Sequence, residues 1–352
     1  MWFEQLHLED FRCHEALHLR LEHSPWVVLA GRNGTGKTSL LEAIYTTTRG
    51  HSFRRATIAE IIRAGRDQAT VVLDSVGDRA HRLGARYGRN DRIFHLDGAR
   101  ARGLAEINAA IPVDYMGAQA HRLVDGSPGA RRRYLDWCLF HVEPRFLDLW
   151  RNWHHAHRQR NAWLRQGDYP ASTGWSEEVV KYGEKVSEMR AALVCNLDAR
   201  LQEMDWAAIG NDRPTLKFRQ GWQEGGLREA LRATADRERR AGRAVAGPHQ
   251  DDWTLSCGGM QAGQLSRGQT KLASFYLWNA RAQIMRKAGR SAILLADDFL
   301  ADLDEEASRL ALRALRGNAG QVWLAVREES ARMVLPGEAV RFHVEPGQVV
   351  RY

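Results

Sequence analysis

Five apolar residues, Trp26-Val27-Val28-Leu29-Ala30, run directly into Gly31-Arg32-Asn33-Gly34-Thr35-Gly36-Lys37-Thr38, and this junction limits the folds open to the chain. An unbroken apolar run of that length suits a strand buried on both faces. The octet fits G-x-x-x-x-G-K-[ST], and Leu41, Ile44, Tyr45 and Thr48 then recur at helical spacing. Strand, glycine turn and helix form the setting in which backbone N–H groups wrap closely around a phosphate. Lys37 would reach the β and γ phosphates, Thr38 would offer its hydroxyl to Mg²⁺, and the helix would add the positive end of its dipole. The residues expected to touch a nucleotide are therefore Gly31, Arg32, Asn33, Gly34, Thr35, Gly36, Lys37, Thr38 and Ser39.

A second apolar run, Ile293-Leu294-Leu295, leads into Asp297 and Asp298, and a third, "QVWLAV", covers Gln321 to Val326. A carboxylate at the carboxyl end of a core strand stands where a phosphate-binding crevice opens. Asp297 would hold Mg²⁺, largely through water, because that ion dehydrates reluctantly. Asp298 would orient or deprotonate the attacking water. An Asp-Asp pair after a strand is by itself more often a turn or a helix cap; the phosphate loop in the same chain gives it a chemical role.

Between these motifs the character of the sequence changes twice. Leu6 and Leu8, then Leu17, Leu19 and Leu21, alternate with polar neighbours as half-buried antiparallel strands do. "ATVVLDSV", "AHRLGARYG" and "DRIFHLDG" read as hairpins up to about Arg100. From about His121 to Gly242 the composition is helical and rich in arginine and tryptophan, and after Gly247 the β/α pattern returns. The expected segments are residues 1–112 for the first part of an α/β head, 113–243 for an inserted, mainly helical lobe, and 244–352 for the second part of the head. The head is expected to hold a mixed sheet with flanking helices and an antiparallel β subdomain.

The formal net charge of +8 permits a polyanionic partner, nucleic acid first among them. Arg131, Arg132 and Arg133, and the arginines of "RERRAGR" from Arg237 to Arg243, are candidate phosphate contacts, although solvated helix faces explain such runs equally well. The four cysteines are scattered, with no C-x-x-C, so neither a zinc site nor a disulfide framework is expected and a reducing cytoplasm fits. No apolar run approaches the ~20 residues of a membrane span, and the first residues do not form a secretory signal, so no membrane partner is expected.

One short motif, Leu265-Ser266-Arg267-Gly268-Gln269, lies between the phosphate loop and the Asp-Asp strand. It resembles the "LSGGQ" signature of the ABC superfamily of ATPases, with Arg267 in place of a glycine. In that superfamily the signature completes the γ-phosphate site of a second subunit. The resemblance therefore implies a head-to-tail, ATP-dependent homodimer in which Ser266, Arg267, Gly268 and Gln269 face the partner's nucleotide. A serine hydroxyl, a glycine that permits close backbone approach and a following helix dipole suit that role. Alone, the motif is equally an ordinary helix N-cap.

The stretch between Lys37 and Ser266 carries no sustained heptads and no cysteine hook, unlike the long coiled-coil members of the superfamily. Over essentially its full length the chain resembles the RecF family of bacterial recombination-mediator ATPases. The matching segments are "LHLEDFR" (Leu6 to Arg12), "GHSFR" (Gly50 to Arg54), "DGSPGARRRYLDW" (Asp125 to Trp137), "GPHQDDW" (Gly247 to Trp253) and "LLADDFLADLD" (Leu294 to Asp304). The resemblance implies slow ATP hydrolysis with Lys37, Asp298 and Ser266 as its working residues, and Thr38 and Asp297 on the metal. It also implies binding to double- and single-stranded DNA near gap junctions, action with RecR and RecO in loading RecA, and a cytoplasmic, nucleoid-associated location. The chain departs from the family pattern at Ala301, where a serine is common, and at "YMGAQAHRL", where Gln119 is one candidate for the Q-loop ligand. No histidine follows "WLAV", and His249 reads equally well as a structural residue. The other reading is an ABC ATPase subunit of a transporter, or a regulator, with no DNA role; the charge and the inserted lobe weigh against it.

Overall fold

The computed structural model describes residues 1–166, 174–204, 206, 213–223, 225–301, 303, 305–315, 320–328 and 338–352. In chain order the elements are β1 (Trp2–Phe11), β2 (His14–Arg20), β3 (Trp26–Ala30), α1 (Lys37–Arg49), α2 (Ile58–Ile61), β4 (Gln68–Val76), β5 (His81–Gly88), β6 (Arg92–Leu96), β7 (Ala99–Arg100), α3 (Leu104–Ala110) and β8 (Val113–Met116). Then come α4 (Arg122–Asp125), α5 (Pro128–Val142), α6 (Phe146–Gln166), α7 (Gly174–Gln202), β9 (Pro214–Arg219), α8 (Leu227–Ala233), α9 (Ala235–Ala241), β10 (Asp252–Cys257), β11 (Met260–Gln261) and α10 (Arg267–Lys287). The chain closes with β12 (Ile293–Asp297), α11 (Glu305–Leu315), β13 (Val322–Val326), β14 (Val340–Glu345) and β15 (Gln348–Arg351).

These elements form two compact units, one of residues 1–120 with 289–352, the other of residues 121–288. The first unit holds two six-stranded sheets. One is antiparallel, in the order β2-β1-β4-β5-β6-β7, with Leu6 opposite Leu19 and Leu8 opposite Leu17, as the alternating leucines predict. The other runs β15-β14-β3-β13-β12-β8, with β14, β3, β13, β12 and β8 parallel. Every residue of β3 and β13 is buried, which is why these strands read as continuous apolar runs. Gln321 lies between the sheets, fully buried. Its side-chain oxygen accepts from Phe3 N at 3.0 Å and Trp323 Nε1 at 2.9 Å, and its amide donates to the carbonyls of Phe3 and Ser24.

Among the described residues the second unit is helical, with one small sheet in the order β11-β10-β9. Strand β9 was not apparent in the sequence. The division also differs from the segments expected above: residues 244–288, assigned to the head, belong to the helical unit. The cause is packing, since β10 pairs with β9, and α10 lies against α4, α5 and α7. Among the described residues no helix is long and apolar enough to cross a membrane.

Candidate active site

The phosphate loop leaves the carboxyl end of β3 and enters α1 at Lys37. Two of its glycines are required by space and backbone. A Cβ at Gly31 would stand 2.4 Å from the Val344 carbonyl oxygen on the neighbouring strand. Gly36 caps α1 at φ 109°, and a Cβ there would lie 2.7 Å from the His14 ring and 2.9 Å from Cys13 Sγ. Beside the loop opens a cavity of about 690 Å³, lined by Asn33, Gly34, Lys37, Thr38, Asp297 and Asp298 among others.

Lys37 is buried, and its Nζ donates to the Gly31 and Arg32 carbonyls at 2.7 Å each. Burial lowers its pKa, while Asp298 and Asp297 work in the opposite direction. Thr38 Oγ1 donates to Asp297 Oδ1 at 3.0 Å, so the two expected metal ligands meet although 259 positions apart. Burial raises the Asp297 pKa, with the Thr38 hydroxyl opposing and the Asp298 charge adding to the rise. Asp298 follows with φ 51°, in the left-handed region that Asp enters more readily than most residues.

This arrangement passes a chemical test for a magnesium–nucleotide complex. The facing donors are a hydroxyl and a carboxylate, hard oxygens suited to Mg²⁺, which keeps most of its waters and takes one or two protein ligands. A buried ammonium held only by backbone carbonyls can exchange them for phosphate oxygens.

Three neighbours of the site were not read from the sequence. Tyr115, on β8, directs its hydroxyl at Asp297 Oδ2 at 3.5 Å, and its ring stacks on Phe53 at 3.8 Å. Burial, then the Asp297 charge, pushes the Tyr115 pKa up. Glu42, fully buried on α1, takes a two-pronged hydrogen bond from Arg12 at 2.9 and 2.8 Å, contacts Ser52, and lies 3.6 Å from Arg54. Arg12 and Arg54 both line the cavity, so this carboxylate ties the cavity rim to the phosphate-loop helix. Cys13 also lines the cavity; a hydrogen bond with His14 lowers its thiol pKa against the effect of burial.

The signature lies in the helical unit. Ser266 is the N-cap of α10, its Oγ accepting from Gln269 N at 3.2 Å while Gln269 Oε1 accepts from Ser266 N at 2.9 Å. Ser266 and Arg267 are exposed, and Gly268 and Gln269 half-exposed. Gln119 is exposed in the turn after β8 and is not among the residues lining the cavity. Asp302 and Asp304 lie outside the described residues.

The arginine run at 131–133 is partly taken up by partners within its own unit. Arg131 grips Asp252 at 2.7 and 2.9 Å and donates to the Gly126 carbonyl at 2.7 Å. Arg132 donates to the Asp251 carbonyl at 2.8 Å. Both guanidinium groups are committed to the fold by partners far along the chain, and only Arg133 is exposed. "GPHQDDW" supplies those partners. Its Asp251 is fully buried and bonded to Arg190, Ser187 and Gly221 N. His249 Nε2 bonds the Ala244 carbonyl at 3.1 Å, and its ring lies 4.5 Å from that of His157.

A parallel sheet carrying a phosphate loop, with a facing acidic strand end, defines a phosphate-loop nucleotide-binding head; together with the antiparallel sheet of the same unit and the signature of α10 it matches an ATPase head of the ABC and SMC type. Comparison with known proteins agrees: the family model described as RecF/RecN/SMC N terminal domain matches residues 2–331. The chain belongs to the RecF family. It is 34% identical over 345 residues to the DNA replication and repair protein RecF of Azotobacter vinelandii, covering 94% of each chain. It is 32% identical to the Pectobacterium atrosepticum protein of that name, covering 99% of this chain and 98% of the other. The solved structure of a recombination mediator protein RecF with ATP superposes with a TM-score of 0.83 at 19% identity, covering 100% of this chain and 97% of that one. A Pyrococcus furiosus Smc head bound to part of ScpA gives 0.64 at 13% identity, covering 100% and 96%. At those identities the likeness is one of fold.

Proposed function

We propose that the chain binds Mg·ATP at the phosphate loop, closes into a head-to-tail homodimer, hydrolyses the nucleotide slowly and acts on DNA in recombinational repair and replication-fork maintenance. The observation that carries this reading is the meeting of Thr38 with Asp297 beside a buried Lys37. Mg²⁺, when bound, supplies neutralisation of the triphosphate charge. Lys37 would turn its ammonium from the Gly31 and Arg32 carbonyls to the β and γ phosphate oxygens, and Thr38 and Asp297 would hold the metal. Asp298 orients the attacking water and accepts its proton. Ser266 of a second copy donates its exposed hydroxyl to the γ-phosphate, and α10 adds its N-terminal dipole. Family membership supports gapped DNA, with its single- and double-stranded parts, as the substrate, RecR and RecO as partners in loading RecA, and a cytoplasmic location.

The test is molar mass in solution. Mg·ATP should double the mass of the wild-type chain, and Asp298→Asn should hold the doubled state because the water is no longer activated. Lys37→Ala and Ser266→Arg should each stay single, and mixing them should restore part of the ATPase, since a mixed pair keeps one complete site. A chain that stays single with ATP, in every variant, would refute the dimer.

A further inference from the structure

Arg131 and Arg132 are bonded within the fold, and α6 offers a second, more open basic surface. This helix of 21 residues carries four arginines against one carboxylate, Asp148 in its first turn. Arg160 is buried and paired with the fully buried Glu238 of α9. The other three, Arg151, Arg158 and Arg165, are exposed and stand seven residues apart. That spacing is close to two turns, so they share one face and form a row about 21 Å long. None of the three has a carboxylate within ion-pair distance among the described residues.

Arg160 stands on the buried face of α6, about 160° around the helix from Arg158, so its pair with Glu238 ties α9 to the side of α6 away from this row. Arg237, Arg240 and Arg243, in and just after α9, are likewise exposed and without an ionic partner among the described residues. The two groups meet at one end, where a Cβ at Gly242 would lie 3.5 Å from Arg165 Cγ. Of the acidic groups nearby, Glu238 is engaged with Arg160, Asp236 with Arg239, and Glu177 of α7 with Arg228, while the exposed Asp148 stands at the Arg151 end of the row. Trp163, 37% exposed, is also on α6.

An ordinary solvated helix face mixes both signs of charge. A run of arginines without ionic partners repels itself, and a polyanion relieves that repulsion. We propose that the exposed arginine face of α6 is a platform for the phosphate backbone of duplex DNA, with the α9 arginines flanking its Arg165 end. A duplex presents a negative charge every ~1.7 Å of its axis with both strands counted, so a 21 Å row runs along a length holding about twelve phosphates, of which only those on its side can be touched. Arginine forks suit phosphate oxygens, and the row has no geometry for reading base edges.

This inference rests on the DNA role proposed above, and one experiment separates the two. Duplex binding by the full chain with Mg·ATP is titrated over several salt concentrations for wild type, for Arg151→Gln/Arg158→Gln/Arg165→Gln, and for a control, Arg82→Gln/Arg86→Gln/Arg89→Gln. The control removes the same charge from exposed arginines of the other unit. The α6 variant should bind at least tenfold more weakly at moderate salt, with its log–log slope shallower by about 0.9 for each phosphate it no longer neutralises. Its unfolding midpoint and ATP affinity should match wild type, and the control should lose much less. If wild type fails to bind DNA, the functional reading falls and the platform with it. If wild type binds and the α6 variant keeps its slope, or both variants lose equally, the platform is overturned while the DNA role stands. Wild-type affinity for an acidic polypeptide equal to that for DNA would also overturn it.

Discussion

Lys37 and Arg190 are both buried cations, one in each unit, and their surroundings differ in kind. Lys37 donates to two backbone carbonyls, and burial lowers its pKa even with two aspartates close by. Arg190 donates to both oxygens of Asp136 at 2.8 and 2.9 Å, to Asp251 at 3.0 Å and to the Pro248 carbonyl. Burial works to lower the Arg190 pKa, but Asp136 and Asp251 outweigh it and the net shift is upward. The carbonyls at Lys37 are neutral and exchangeable for phosphate; the carboxylates at Arg190 are a permanent counter-charge. Burial alone therefore does not mark a working charge. What marks it is burial beside open space with partners weaker than the ligand would be.

The largest expected effect comes from breaking the saturated site. Arg190→Met leaves Asp251 buried without its counter-ion and should destabilise the helical unit by about 3–5 kcal/mol. Chemical unfolding monitored by tryptophan fluorescence measures this; a destabilisation below about 1 kcal/mol would erase the contrast. Lys37→Ala should show the reverse pattern. ATP affinity by calorimetry should fall by roughly 2–5 kcal/mol, the scale for truncating one partner of a buried charge pair. Its unfolding midpoint should hold or rise, since an ammonium no longer has to be desolvated.

A third prediction sharpens the picture of the helical unit. Burial, acting first, lowers the His157 pKa to about 3 and the His249 pKa to about 4, with nearby cations such as Arg160 adding to the effect at both rings. Both rings are neutral in the folded state. Their contribution is intact above the unfolded value near 6.5 and is lost as the pH falls from there towards 4. Each unit of resisted protonation is worth about 1.4 kcal/mol. Unfolding midpoints measured from pH 7 to 4 should fall, and His249→Gln should flatten the slope. An unchanged slope would mean that other groups govern acid sensitivity. The smallest effect belongs to Ser266→Ala, which removes the α10 cap and should cost about 1 kcal/mol of stability. ATP affinity of the single chain should stay unchanged, while ATP-driven mass doubling weakens.

The legible parts of the sequence were those whose cause is local. "WVVLA" and the glycine octet lie side by side, and the alternation of Leu6, Leu8, Leu17 and Leu19 declares a hairpin without reference to anything distant. What escaped depends on partners brought in by the fold. Arg131 looks like a free cation until Asp252, 121 positions on, closes upon it. Tyr115 gains its meaning only because β8 lies beside β12. The segment boundary near 244 followed a change in composition, whereas the packing of α10 follows the shape of α7 and its neighbours. For Arg131 a hint was present: "GPHQDDW" carries two adjacent aspartates ahead of a tryptophan, a pattern that asks which cations they neutralise.

The left-handed backbone at Asp298 sets how this position can drift over evolutionary time. Asn and Gly are the residues that accept such a φ readily, and either one removes the carboxylate. Glu retains the carboxylate, but holding it there costs roughly 1–2 kcal/mol of backbone strain, and its longer side chain moves the acid away from its place. The position thus has no conservative neighbour. With the role proposed above for Asp298, a lineage that abandons it would not slide towards a slower enzyme by small steps; it would pass in one step to a nucleotide-binding protein that waits.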